Sequence, residues 1–222
     1  MTTTDSPKKK GSVPRWLAIP TAKPQLSTAE VAAKYPRLRF QVFMGIFIGY
    51  ATFYLIRNNV PLVTPILTHE LGFSNAAIGA LSTALLLAYG FSKFFTAMIS
   101  DRSNARLFLP IGLVLSGIAN VLLAIAGYMG SGAAAAGYGA AIASTMAAIM
   151  VFNGIFQGMG WPPSGRVLVN WFSTSERGSK VSLWNTAHNV GGALSGLLVA
   201  WGFTLFGKTW QVAFWFPAVI SF

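Results

Sequence analysis

Two basic side chains, Arg57 and Lys93, lie inside long apolar stretches of this 222-residue sequence. A charge inside a bilayer core costs at least about 2.5 to 3.5 kcal/mol, so such a residue normally faces a partner, a polar cavity or a ligand. The acidic residues all lie outside those stretches, at Asp5, Glu30, Glu70, Asp101 and Glu176. Because no carboxylate is available there, the two cations indicate an anion-binding site. For Lys93, an alternative is that its flexible side chain reaches the membrane surface.

Aromatic and polar side chains recur at helical spacing around these cations. The sets that share a helix face are Tyr50, Tyr54 and Arg57; Tyr89 and Lys93; and Trp184 and His188, with Asn185 and Asn189 beside the last pair. Three such sets on separate helices predict the walls of a single cavity, since aromatic N–H and O–H groups supply donors and the rings supply a rigid lining. For Trp184 and His188, a packed contact between helices with a satisfied imidazole is the alternative.

The type of anion follows from the basic groups. A guanidinium offers a planar fork that fits a phosphate or a carboxylate with two hydrogen bonds. The sequence contains no Walker, HExxH or GxSxG pattern and no cysteine, so we predict no catalytic residue, no cofactor and no metal site. Its glycines fall at helix-packing spacings, as in Gly154-x-x-x-Gly158 and Gly192-x-x-x-Gly196. We therefore expect a binding protein rather than an enzyme.

The composition requires a membrane to position these residues. The sequence is 54% hydrophobic and 9% charged, and several apolar stretches reach the roughly 20 residues that a helix needs to cross a bilayer core. Runs such as 107–129 are apolar on every face, which excludes an outer-membrane barrel. We predict an all-α polytopic protein with six spans, at 39–67, 76–99, 106–129, 135–172, 180–206 and 211–222.

The basic residues define the ends of this bundle. Of 16 Lys and Arg residues, eight lie in positions 1–39 and five near the second and fourth connectors, against Lys208 alone on the other side. The positive-inside rule then places the N-terminus in the cytoplasm, where the net charge of +11 faces anionic lipid rather than nucleic acid. We expect residues 1–38 to be a mostly disordered tail, with Ser27 and Glu30 opening a short helix before Pro36, and residues 39–222 to form the bundle.

Longer motifs resemble a known family. Asp101, Arg102 and Arg106 match the D-R-x-x-x-R core of the loop between helices two and three in the major facilitator superfamily. Four strings resemble its organophosphate:inorganic phosphate antiporters: GYATFYLIRNN at 49–59, AYGFSKF at 88–94, FQGMGWPPSGR at 156–166 and WNTAHNVGG at 184–192. The third string is closer to the glycerol 3-phosphate branch than to the hexose phosphate branch. The resemblance runs from about residue 35 to residue 222.

This resemblance implies a rocker-switch exchanger of the bacterial inner membrane, in which an organic phosphate enters and inorganic phosphate leaves through one central site. Arg57 corresponds to the arginine that binds the phosphoryl group. The other family pore-lining positions fall on Lys93, His188, Tyr50, Tyr54, Tyr89, Trp161 and Trp184. The sequence departs from the family pattern at Asn58, which stands where lysine is usual. Pro162 and Pro163 after Trp161 are consistent with a helix interrupted at a cavity.

The superfamily is built from two six-helix halves, and this sequence matches one. We therefore expect the chain to need a carboxy-terminal half as its partner, and we assign function to the complete protein. Two other functions remain open: a membrane sensor of phosphate esters related to the hexose phosphate branch, and an intramembrane enzyme acting on phospholipid head groups. The enzyme is disfavoured because the spans contain no buried carboxylate, serine–base pair or metal-ligand group.

The predicted topology can be tested by cysteine labelling, because the chain has no cysteine of its own. In whole cells, an impermeant maleimide should modify Glu70→Cys, in the connector predicted at 68–73, and should spare Ser12→Cys in the tail. Permeabilised cells provide the control, in which both positions should react. Labelling of the tail alone in whole cells would overturn the topology.

Overall fold

The structure, a computed structural model, describes residues 14, 16–21, 26–135 and 139–222. These residues form nine α-helices and no β-strand, apart from one isolated antiparallel bridge between Ala18 and Ser103. The helices are α1 (Thr28–Leu55), α2 (Asn59–Leu71), α3 (Asn75–Asp101), α4 (Ala105–Ala135), α5 (Gly139–Gln157), α6 (Trp161–Trp171), α7 (Thr174–Asn185), α8 (Ala187–Phe206) and α9 (Val212–Ser221). The prediction of an all-α protein is confirmed.

Five segments of the described chain are long and apolar enough to cross a membrane. They are Thr28–Leu71, Asn75–Asp101, Ala105–Tyr128, Gly139–Trp171 and Thr174–Phe206. The sixth predicted span corresponds to α9, a short apolar helix of 10 residues. The prediction of a multi-pass helical bundle is confirmed, although α9 is shorter than a full crossing requires.

Three of the predicted spans are each divided into two helices. The breaks lie at 56–58 between α1 and α2, at 158–160 between α5 and α6, and at Thr186 between α7 and α8. The second break was anticipated from Pro162 and Pro163, which occupy the first turn of α6. Proline is tolerated there because the first-turn N–H groups of a helix have no partner within the helix.

The start of the first helix differs from the prediction. Ser27 and Glu30 form the predicted capping box, in which the Glu30 amide donates to the Ser27 hydroxyl and the Ser27 amide donates to the Glu30 carboxylate. The prediction that this helix ends before Pro36 is wrong, because α1 continues through Pro36 to Leu55. The disorder predicted for residues 1–38 concerns mainly positions 1–13, 15 and 22–25, which lie outside the described residues.

Contacts on both sides of Pro36 explain why the helix continues. The Tyr35 hydroxyl donates to the Trp171 carbonyl at 2.6 Å, and the two rings stack with centroids 6.2 Å apart. Arg39 forms an ion pair with Glu176 and places its guanidinium 4.8 Å from the centre of the Phe172 ring. These contacts fix the turns before and after the proline, and so offset the lost helical hydrogen bond.

The segments rich in basic residues meet at one end of the bundle. The Asn104 amide donates to the Leu17 carbonyl at 2.7 Å, so the N-terminal segment lies against the connector between α3 and α4. The Arg39–Glu176 pair joins the start of α1 to α7 at the same end. This grouping agrees with the predicted topology of the connectors, while the orientation of the bundle in the cell stays a prediction.

Glycines allow α3 and α5 to pack closely. A Cβ at Gly154 would collide with the Leu85 carbonyl and lie 2.8 Å from the Ala88 Cβ. A Cβ at Gly158 would collide with the Ser92 hydroxyl. The predicted packing role of these two glycines is confirmed, and it brings α5 against the helix that carries Tyr89 and Lys93.

The second predicted glycine pair does not pack. Nothing lies within 4 Å of a Cβ placed at Gly192 or Gly196, so the packing role assigned to them is wrong. The contact is made by Gly191, where a Cβ would collide with the Ala51 carbonyl and lie 2.9 Å from the Tyr54 Cβ. Gly191 therefore sets the distance between α8 and α1.

Adjacent glycines provide a matched test of this contact. Gly191→Val should lower the thermal unfolding midpoint of the purified chain by several degrees, because the Ala51 backbone cannot move aside and overpacking typically costs about 1 to 3 kcal/mol. Gly192→Val adds the same side chain in open space and should leave the midpoint nearly unchanged. Equal midpoints for the two variants would contradict the assigned contact.

Candidate anion-binding site

Arg57 lies in the break between α1 and α2 and is only 9% exposed. Its guanidinium carbon is 4.9 Å from the centre of the Tyr54 ring and 3.7 Å from the centre of the Tyr89 ring. The first ring belongs to the preceding turn of α1 and the second to α3, so the arginine bridges two spans. Both contacts are cation–π contacts, which orient a guanidinium without neutralising it.

Lys93 lies on α3, one turn after Tyr89, and is partly buried. Its amino nitrogen is 3.9 Å from the centre of the Tyr89 ring, so this one ring contacts both cations. Among the described residues the ion pairs are Lys34–Glu30 and Arg39–Glu176. Neither involves Arg57 or Lys93, so the two positive charges share an aromatic surface and have no carboxylate beside them.

A second group of aromatic side chains continues from Arg57 towards α8. Tyr50 and Tyr54 contact each other with ring centres 5.5 Å apart, and the Tyr54 ring is 5.5 Å from the His188 imidazole. The centre of the Trp184 ring is 4.5 Å from that of Tyr50 and 6.4 Å from that of Trp161. All eight residues predicted to bind substrate are thus connected in one series of ring and cation contacts.

Exposure divides this series into a packed part and an accessible part. Trp184 is 1% exposed and donates its indole N–H to the Ile46 carbonyl at 3.2 Å, which agrees with the packed contact considered as its alternative. Trp161 is 48% exposed, and Tyr54 and His188 are partly buried. The accessible surface of the site therefore includes Trp161, Tyr54 and His188, and Trp184 supports it from behind.

Two cavities of about 410 and 400 Å³ lie elsewhere, at the end of the bundle that carries the basic segments. The first is lined by the N-terminal segment together with α1, α4 and α6, and the second by α1 and α7. Neither contains Arg57 or Lys93. The side chains predicted to form the walls of a single cavity therefore line neither of these two cavities.

The motif residues Asp101, Arg102 and Arg106 are exposed, at the end of α3, just after it and in the first turn of α4 respectively. The side chain that fixes the connector between α3 and α4 is instead Arg166 of α6, whose guanidinium donates to the carbonyls of Ser100 and Ser103. From the sequence, Arg166 was identified as a basic residue near the fourth connector and as the end of the string at 156–166, without a contact assigned to it. Local spacing gives no signal for these contacts, because both acceptors are more than 60 residues away in the chain.

Four buried polar residues were also missed: Ser116 and Asn120 of α4, and Asn153 and Gln157 of α5. Each is 2% exposed or less. They occur as two pairs at i, i+4 spacing inside apolar helices, which is a signal for a polar contact between helices. They form a hydrogen-bonded network that reaches the break containing Arg57.

Comparisons with known proteins agree with this architecture. The family model described as Major Facilitator Superfamily matches residues 46–222. The chain is 47% identical over 197 residues to a glycerol-3-phosphate transporter of Bacillus subtilis (strain 168), covering 89% of this chain and 42% of the relative. It is 43% identical over 207 residues to a glycerol-3-phosphate transporter of Haemophilus influenzae, covering 89% of this chain and 41% of the relative. The chain thus spans about two fifths of the length of these relatives.

A solved structure has the same fold. It is the crystal structure of a bacterial homolog of the human lysosomal transporter Spinster, in an inward-facing and unoccupied conformation. The TM-score is 0.63 at 18% sequence identity, and the match covers 82% of this chain and 40% of the other. At this identity the likeness shows the fold alone.

The role assigned to Arg166 predicts that removing its charge destabilises the chain more than removing the charge of an exposed arginine. Arg166→Gln should destabilise the chain by at least about 1.5 kcal/mol, because hydrogen bonds from a charged group to the carbonyls of Ser100 and Ser103 are lost. The control is Arg106→Gln, which removes an exposed guanidinium from the first turn of α4, beside the same connector, and should change stability by less than about 0.5 kcal/mol. Thermal unfolding measures both, and indistinguishable variants would rule out the assigned role.

Proposed function

The chain belongs to the Major Facilitator Superfamily, and on that basis we propose that it forms the amino-terminal half of a transporter that exchanges an organic phosphate ester for inorganic phosphate. Glycerol 3-phosphate is the favoured ester, because the two glycerol-3-phosphate transporters are 47% and 43% identical to the chain. The names of these relatives and the matched family also agree with the prediction that the protein is not an enzyme.

The observation that carries the proposal is the pair of cations on Tyr89. Arg57 and Lys93 approach that ring at 3.7 and 3.9 Å, and neither has a carboxylate partner among the described residues. In a low-dielectric site, two such positive charges favour the binding of an anion with one or two negative charges. A phosphate group meets this requirement, since the guanidinium fork of Arg57 binds two of its oxygens while Lys93 contributes a point charge.

The breaks in the helices support an anion at the same place. Helices α2, α6 and α8 begin at Asn59, Trp161 and Ala187, next to site residues. The N-terminus of a helix carries partial positive charge and free N–H groups, and transporters use interrupted helices to bind anionic groups in this way. The backbone therefore adds to the positive potential that Arg57 and Lys93 create.

The aromatic residues suit the organic part of the ester. Tyr50, Tyr54 and Trp161 provide rigid surfaces beside the cations, and His188 lies against Tyr54. A small polyol phosphate needs such a lining more than a strictly apolar pocket, because it presents hydroxyl groups as well as carbon. Asn58 stands where the family pattern has lysine, so this region has one cation fewer than that pattern. The Asn58 side chain is exposed.

The proposed cycle requires the second half of the transporter. In a rocker-switch mechanism two helical bundles move around a site at their interface, and this chain supplies one bundle. We place the protein in a bacterial inner membrane with its N-terminus in the cytoplasm, and Asp101, Arg102 and Arg106 in a cytoplasmic loop, on the distribution of the basic residues. The lipid bilayer, inorganic phosphate and the carboxy-terminal half are its partners in this proposal.

Arg57→Lys tests the proposal directly. In proteoliposomes carrying the complete transporter, this variant should lose at least tenfold in phosphate counterflow, because lysine keeps the charge but loses the bidentate fork. Arg37→Lys makes the same change at an exposed position of α1 and should exchange at the wild-type rate.

Each outcome has a defined meaning. Wild-type counterflow by Arg57→Lys would refute the assigned site. If the wild-type protein shows no counterflow but activates expression of a reporter gene when phosphate esters are added, the membrane sensor is the correct function. Formation of product from a labelled phospholipid would indicate the enzyme.

A further inference from the structure

The break at 56–58 leaves one backbone acceptor of α1 without its usual donor. In an unbroken helix the Arg57 amide would donate to the Phe53 carbonyl, four residues earlier. Here the Arg57 amide donates to the Tyr54 carbonyl at 3.5 Å. The Phe53 carbonyl lies deep inside a membrane-spanning segment, where an unpaired backbone acceptor is costly, so it needs a donor from another helix.

Gln157 supplies that donor. Its side-chain nitrogen lies 3.2 Å from the Phe53 carbonyl oxygen and 2.8 Å from the Ser116 hydroxyl oxygen. A carbonyl oxygen only accepts hydrogen bonds, so the amide must present its N–H₂ group to Phe53. Gln157 is 2% exposed, so the hydrogen bond to the Phe53 carbonyl is buried inside the bundle.

The Ser116 hydroxyl, which accepts from Gln157, belongs to a wider set of polar contacts on α4 and α5. The Ser116 hydroxyl donates to the Asn153 side-chain oxygen at 2.6 Å, and the Asn120 amide donates to the Ser116 carbonyl at 2.9 Å. The Ser116–Asn153 contact connects α4 to α5, and among the hydrogen bonds of the described residues Gln157 extends this network to α1. Asn120 is buried to the same degree but bonds within its own helix, so it makes a suitable comparison.

The α5–α6 break, which begins directly after Gln157, receives a hydrogen bond from the helix that carries Lys93. The Thr96 hydroxyl, one turn after Lys93, donates to the Gly158 carbonyl at 3.0 Å. Gly158 directly follows Gln157 in the chain. The α5–α6 break thus contacts both supports of the cation pair, the end of α1 through Gln157 and α3 through Thr96.

We propose that Gln157 is a positioning residue for Arg57: its amide caps the end of α1 at Phe53 and so fixes the guanidinium over Tyr89, beside Lys93. In the hydrogen bonds of the described residues, the Gln157 side chain bonds to Phe53 and Ser116 and to no residue of the aromatic series. It therefore acts through the α1 backbone. The part of this inference that concerns phosphate affinity rests on the proposed function, whereas the part that concerns the α1 end does not.

The first experiment measures the α1 end without substrate. Hydrogen exchange of residues 53–60 is followed by mass spectrometry in the 222-residue chain in lipid nanodiscs. Gln157→Met keeps the length of the side chain but removes its donor, and it should raise the exchange rate of this segment at least tenfold. Asn120→Leu should leave that rate unchanged. If Gln157→Met does not assemble, Gln157→Asn, which keeps the amide but is one methylene too short, should give the same acceleration.

The second experiment measures binding of radiolabelled inorganic phosphate to the complete transporter. Gln157→Met should weaken the affinity at least tenfold, with Asn120→Leu close to wild type. Wild-type exchange and affinity in Gln157→Met, or equal losses in both variants, would overturn the positioning role. If Arg57→Lys binds phosphate normally, the proposed function fails, and the hydrogen-exchange result still decides the role of Gln157.

Discussion

A bilayer contains no water to satisfy a backbone group, so every helix break inside it must find polar partners from the protein. This constraint organises the centre of the bundle. The Phe53 carbonyl is bonded by Gln157 and the Gly158 carbonyl by Thr96, each from a different span. The helices that meet there are held together by the requirements of their interrupted backbones as well as by apolar packing.

The same breaks account for the electrostatics of the site. Arg57 lies in the break between α1 and α2 rather than within a helix, and its guanidinium contacts the ring of Tyr89 on α3. Tyr89 accepts the guanidinium on its ring and Lys93 approaches the same ring. An aromatic ring stabilises a cation by about 0.5 to 2 kcal/mol and, unlike a carboxylate, does not neutralise its charge. The two charges are thereby tolerated while remaining available to an anion.

The sequence was informative about the site wherever the signal was local. Arg57 and Lys93 could be identified as charges within apolar stretches, and Tyr50, Tyr54 and His188 followed from helical spacing. The break at 56–58 was missed, although Pro61 in the first turn of α2 marks a helix start in the same way as Pro162 does for α6. Gln157 bonds to a residue 104 positions away, and no local pattern can identify that acceptor.

Spacing also failed to identify the face on which a glycine lies. Gly192 and Gly196 have the spacing of a packing pair, yet the adjacent Gly191 makes the contact. A spacing of four residues shows that two glycines share a helix face, but it does not show which face lies against the neighbouring helix. The helix through Pro36 was missed for a related reason. Its continuation depends on Trp171 and Glu176, which the chain brings to α1 only after folding.

The connector between α3 and α4 has a mechanical consequence. Arg166 holds the carbonyls of Ser100 and Ser103 from α6, and the Asn104 amide holds the Leu17 carbonyl of the N-terminal segment. Because positions 100, 103 and 104 are all hydrogen-bonded to other segments, a displacement of this loop would be transmitted to α6 and to the N-terminal segment. The connector, α6 and the N-terminal segment should therefore move together as one unit.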